Sequence, residues 1–152
     1  MKRVSVTIAV ALGAVFGLPS CDEESDEDKV SRIVEEFVGE INQQIDIACD
    51  CYDEIGFESK SDCREEFGEI LPARQRCIED ALAQDVAATE QYYGCRQPLE
   101  EEYTVCLNDK LECDDLSSDD PCDEDFTTGI KNCIELPNSV QRDFDDCFPS
   151  GD

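Results

Sequence analysis

The chain has 152 residues, of which 12 are basic, 39 acidic and none histidine, giving a formal net charge of −27. A field of that sign repels nucleic acid and anionic lipid headgroups, and the missing imidazole removes the usual base of Ser-His-Asp and Cys-His nucleophilic catalysis. The length fits one domain, and with no tryptophan and 11 cysteines the core is thin and calls for covalent support.

Lys2 and Arg3 precede an apolar run from Val4 to Leu18, too short to span a bilayer as a permanent helix, so residues 1–20 read as a signal peptide. Both basic residues lie in this acid-free leader, so its removal takes the charge from −27 to −29. Leu18, Ser20 and Cys21 resemble a bacterial lipobox, with an aliphatic residue at −3, a small one at −1 and cysteine at +1; Pro19 at −2 departs from the pattern. The resemblance implies cleavage before Cys21, lipidation of Cys21 and anchoring in a bacterial envelope, facing the periplasm or the cell exterior. Residues 21–28 read as an acidic tether. Asp22 to Asp28 spans at most about 23 Å when extended.

An odd number of cysteines leaves one over in an oxidised framework. With Cys21 assigned to lipid, Cys49, Cys51, Cys63, Cys77, Cys95, Cys106, Cys113, Cys122, Cys133 and Cys147 remain for five bridges. Zinc is disfavoured, because Cys49-Asp50-Cys51 is a single C-x-C without a second knuckle or any histidine. Cysteines that flank a short loop between antiparallel helices face each other, which favours Cys51 with Cys63 and Cys113 with Cys122. Cys77 would then reach the level of Cys106 or Cys113, and the others stay unassigned.

Residues 29–152 read as an all-α domain, a small disulfide-stapled bundle of about five to six helices. Val30, Ile33, Val34, Phe37, Val38, Ile41 and Ile45 recur at helical spacing, with Glu35, Glu36, Glu40, Asn42 and Gln43 on the opposite face. Ser25 with Asp28 forms a cap resembling a capping box, and Gly56 is the expected stop. Ser59 with Asp62 caps a second helix carrying Cys63, Phe67, Ile70 and Leu71. Pro72 suits the first turn of a third helix, whose buried stripe runs through Cys77, Ile78, Leu82, Tyr92 and Tyr93 and which Gly94 ends. Pro98 opens a fourth helix and Asp120-Pro121 a fifth with Phe126, Ile130 and Ile134. Leu136-Pro137-Asn138-Ser139 is a turn before Val140, Phe144 and Cys147.

Three clusters bear on function. Glu112, Asp114, Asp115, Asp119, Asp120, Asp123, Glu124 and Asp125 form an acidic stretch, but an EF-hand counted from Asp114 would need glycine at Asp119 and an oxygen ligand at Leu116, so it reads as a solvated loop. Tyr92-Tyr93 cannot both face the core. Glu100-Glu101-Glu102 reads as the wet face of a helix. No catalytic residue, cofactor or metal is predicted. The expected function is a non-enzymatic, exported, lipid-anchored interaction or structural module, with membrane and an unidentified, basic protein as partners. The alternative is a soluble secreted protein, paired between chains through Cys21, that binds a basic protein or a small apolar ligand.

Overall fold

The computed structural model describes residues 24–115 and 119–148, and these form six α-helices. They are α1 (Asp26–Ala48), α2 (Lys60–Glu66), α3 (Pro72–Leu82), α4 (Val86–Lys110), α5 (Asp120–Ile130) and α6 (Asn138–Asp145). The signal segment, Cys21 and the tether through Glu23 lie outside the described residues.

α1 starts where its cap dictates. Ser25 Oγ accepts from the Asp28 N–H at 3.1 Å, and Asp26, Glu27 and Asp28 stand at the positive end of the helix dipole. Residues 26–28, read from sequence as part of the tether, are therefore helix. At the other end, the tight turn Cys49–Cys51 and the chain to Gly56, whose φ is 92°, close the element. α2 begins on Ser59, which accepts from the Asp62 N–H at 3.2 Å, and ends at Glu66 because Gly68 turns the backbone to a φ of 77°. The early stop keeps Phe67 and Leu71 out of the core, at 48% and 59% exposure, while Ile70 is buried. The second helix, expected to carry Phe67, Ile70 and Leu71, thus ends before all three.

The long helical region from Pro72 breaks and resumes elsewhere than expected. The break falls at Ala83–Asp85, where the Asp85 side chain accepts from the Ala88 N–H at 3.0 Å and the Thr89 hydroxyl donates to the Leu82 carbonyl at 2.9 Å. Conversely, α4 runs through Gly94 and Pro98, where sequence reasoning ended one helix and opened another. Pro98 removes one backbone donor and crowds the carbonyl of Gly94. Side-chain bridges across that turn, Arg96 to Glu100 at 2.6 Å and Gln97 to Glu101 at 3.3 Å, keep the helix going.

The arrangement of the helices follows from which residues meet. Lys29 lies 3.9 Å from Glu90, Gln44 reaches Glu100 at 2.9 Å, and Cys51 is bonded to Cys113. The residues of α1 and α4 that meet advance together, so the two longest helices run parallel. α3 returns antiparallel along α1: Asn42 holds the Ile70 backbone with both amide atoms (3.1 and 2.8 Å) at one end, and Glu79 and Ala83 come beside Asp26 and Val30 at the other. α5 runs antiparallel to α4, with Gly129 so close to Leu99 that an added Cβ would stand 2.8 Å from the leucine methyl. α6 crosses back over α3. The core gathers Val34, Phe37, Ile78, Leu82, Tyr93, Val140 and Phe144 from α1, α3, α4 and α6.

All ten cysteines from Cys49 to Cys147 are joined in five bridges, with different partners from those favoured by sequence. Cys49 pairs with Cys63, Cys51 with Cys113, Cys77 with Cys147, Cys95 with Cys133 and Cys106 with Cys122. The proposed Cys51–Cys63 and Cys113–Cys122 bridges are incorrect, and Cys77 meets neither Cys106 nor Cys113. The reason is the parallel pairing of α1 and α4, which returns Cys113 to the end of α1 and leaves Cys63 to Cys49. The bridges from Cys77, Cys95 and Cys106 are nested, each closing inside the one before. Ile134, expected on the α5 stripe, is 64% exposed because that helix stops at Ile130.

Bridges closing longer loops restrict the unfolded chain more. Replacing Cys77 and Cys147 together by alanine should lower the unfolding free energy by about 4 kcal/mol, and the same change at Cys49 and Cys63 by about 3. Urea denaturation of the two variants checks both the values and their order.

Candidate functional site

Two of the clusters noted in the sequence, Tyr92-Tyr93 and the glutamates from Glu100, lie on one helix, and α4 presents much of this set toward α1. Arg96 is the hub. Its guanidinium sits 5.3 Å from the Phe37 ring centre and 5.8 Å from that of Tyr92. It donates to Glu100 at 2.6 Å and to the Tyr92 hydroxyl at 2.7 Å. Burial works against its charge, but Tyr92 and Glu100 outweigh that and its pKa is raised.

Glu100 is 2% exposed, so it is no part of a wet face; Glu101 and Glu102 alone remain outside. Gln44 of α1 donates to the Glu100 carboxylate at 2.9 Å and to Thr104 Oγ1 at 3.1 Å. Thr104 Oγ1 in turn lies 2.7 Å from Glu40 Oε2 and 2.9 Å from the Glu100 carbonyl. Gln44, Arg96 and Thr104 were missed in the sequence because a polar residue on a polar-facing stripe carries no mark of burial. The signal that was available is the i, i+4 spacing of Arg96, Glu100 and Thr104, which puts the three on one face of α4.

Tyr92 is half-buried, whereas Tyr93 is core, packed edge-on to Phe37 with ring centres 5.3 Å apart. Its hydroxyl is buried and has no hydrogen-bond partner among the described residues. Burial therefore pushes the Tyr93 phenol well above its ordinary pKa. Further along α4, Tyr103 stacks on Phe126 of α5 at 4.8 Å and donates to Asp123 at 2.6 Å, and burial followed by Asp123 raises its pKa too.

The chemistry this arrangement supports is that of a clamp. Arg96, Glu100, Gln44 and Thr104 satisfy one another, and every cysteine among the described residues is in a bridge, so the cluster presents no free nucleophile. In the acidic stretch, Glu112 and Asp115 face each other across a turn, and residues 116–118 lie outside the described residues. Among the described residues no group of three or more cysteines or acids is placed to hold a metal ion, and no helix is long and apolar enough to cross a membrane. Lys29, Arg32, Lys60, Arg64 and Arg96 are all committed to ion pairs with nearby acids. No protein-family model, curated protein or solved structure matches the chain.

Two substitutions separate the buried charge from the buried hydroxyl. Arg96→Met should destabilise by about 3 kcal/mol, because it strands Glu100 in the interior. Tyr93→Phe removes an unsatisfied hydroxyl and should stabilise by about 1 kcal/mol at neutral pH. Because folding raises the Tyr93 pKa, its linkage contribution is complete below the unfolded value near 10 and is lost as pH climbs from there toward the folded value. The advantage of Tyr93→Phe should therefore widen above about pH 10, measured by denaturant titration at stepped pH.

Proposed function

We propose that this chain is a non-enzymatic, exported envelope protein, anchored through lipid on Cys21 and acting as a rigid interaction or structural module. The observation that carries the reading is the cysteine pairing. The five bridges use every cysteine among the described residues, so none of them is left to join Cys21. An eleventh cysteine that these bridges leave over, preceded by an apolar segment and a lipobox-like Leu18-Pro19-Ser20, is then accounted for by lipidation.

Five bridges in so short a chain also fit an oxidising compartment, where thiols pair and persist. The uncompensated acids favour a basic protein as partner and disfavour nucleic acid. α1 begins within five residues of Cys21, so the domain would stand against the membrane with Asp26, Glu27, Glu79 and Asp80 at its near end. Acids there would hold the module off an anionic surface and leave the C-terminal end of α1, with its two bridges, pointing outward.

Detergent phase partition and intact mass, on protein from an exporting bacterial host, test this. The wild type should enter the detergent phase with a mass that begins at Cys21 and includes acyl chains, and Cys21→Ser should stay in the aqueous phase. A wild type that stays aqueous without acyl mass, or forms a dimer split by reduction, would instead identify a soluble secreted protein joined through Cys21.

A further inference from the structure

A disulfide yields to an external thiol when the attacking thiolate can reach one sulfur and the other sulfur can leave as a thiolate. Departure is easy in water and hard in an apolar interior, where burial raises the thiol pKa. The five bridges differ sharply on these two conditions. Cys49 and Cys63 are both fully buried, so neither sulfur of that bridge can be reached. Three others join an accessible cysteine to a buried one: Cys113 to Cys51, Cys106 to Cys122, and Cys77 to Cys147, with the buried partners at 2%, 2% and 5% exposure. Attack on the open side of any of these drives negative charge into the interior. Cys77 is itself well exposed, but its leaving partner Cys147 sits in the hydrophobic core.

Cys95–Cys133 alone has two partly exposed residues. Cys133 also lines an open groove of about 420 Å³ together with Tyr92, Lys131, Leu136 and Gln141. Lys131 brings a cation and Glu135 an acid to the same groove, so the approach to Cys133 is less uniformly negative than the surface at large.

The geometry points to Cys95–Cys133 as a thiol-exchange site, the bridge that a dithiol reductant opens while the fold stays closed. A thiolate of the reductant attacks Cys133 Sγ, forms a mixed disulfide and releases Cys95 as a thiolate. The second thiol of the reductant then displaces Cys133. The protein gains two electrons and two protons, and the dithiol becomes a disulfide. Opening has a defined reach, because Cys122 stays bonded to Cys106 and Cys147 to Cys77. Between them, the side chains of Lys131, Asn132, Ile134 and Glu135 are exposed, so beyond the hydrogen bonds that tie residues 131–133 to the last turn of α5 this strap is anchored by Cys133 and by buried Leu136. Its release widens the groove beside Tyr92 and leaves both flanking helices in place. This site stands whether or not Cys21 carries lipid.

The oxidised full-length protein, treated in native buffer with limiting dithiothreitol and trapped with N-ethylmaleimide, tests the assignment by peptide mapping. Cys95 and Cys133 should label at least about tenfold faster than the other eight, with the helical circular dichroism unchanged. Labelling of Cys77 and Cys147 first, of any other pair first, or of all ten in one step overturns it. In the doubly substituted Cys95→Ala, Cys133→Ala protein, hydrogen exchange at residues 131–135 should rise about tenfold while α5 and α6 stay protected. Unchanged exchange, a rise that extends through both helices, or a variant that fails to fold would each show that the bridge is no switch.

Discussion

Like charge distributed over a small body favours expansion, and here acids outnumber bases by more than three to one while the core has no tryptophan to set against them. Covalent closure is what makes the compact state accessible. Three bridges nest along the two strands of chain that run out through α3 and α4 and back through α5 and α6, and the other two tie the end of α1 to α2 and to the far end of α4. Each helix except α1 is thus held to a neighbour by a cysteine of its own or of an adjoining turn, and α1 is held through the turn at Cys49–Cys51. With that frame in place, a modest apolar core is sufficient.

Within the frame, polar contacts choose the packing. A buried Arg96–Glu100 pair contributes little net stability, since desolvation offsets most of the attraction. Its effect is on register. Gln44 reaches the Glu100 carboxylate and Thr104, and Thr104 meets Glu40, only when α1 and α4 lie side by side at one offset, and Asn42 donates to and accepts from the Ile70 backbone only when α3 returns at one height. Sliding either helix by a turn would strand several buried polar groups at once. Such a domain holds one shape, as the proposed role would require.

Much of the helical content was legible because local rules govern it. Ser25 and Ser59 cap as their hydroxyls allow, Pro72 and Pro121 sit in first turns, and the α1 stripe from Val30 to Val38 is buried as its spacing implies. The failures are tertiary. Gly94 and Pro98 look like stops, yet side chains bridging the turn override them. Glu100 and Asn42 look like solvent-facing residues, yet each is held by a partner far away in sequence, Gln44 and the Ile70 backbone. The bridge partners could not be read because the loop-flanking rule assumes that consecutive helices pair antiparallel, whereas α1 finds its main partner in α4. Of the candidate site, the tyrosines and the glutamate run were visible; the arginine that organises them was not, since no local pattern distinguishes it from a surface cation.

The order of the bridges along the chain has a consequence for biogenesis. None of the five joins two cysteines that are neighbours in sequence: Cys49 skips Cys51 to reach Cys63, Cys106 skips Cys113 to reach Cys122, and the other three span further still. An oxidase that joins thiols pairwise in the order of their emergence would therefore make only wrong bonds, and the final cysteine must arrive before Cys77 can find its partner. Where oxidation proceeds in that order, reaching this arrangement depends on reshuffling, and the yield of correctly bonded protein is then governed by the isomerase activity of the compartment more than by its oxidising strength.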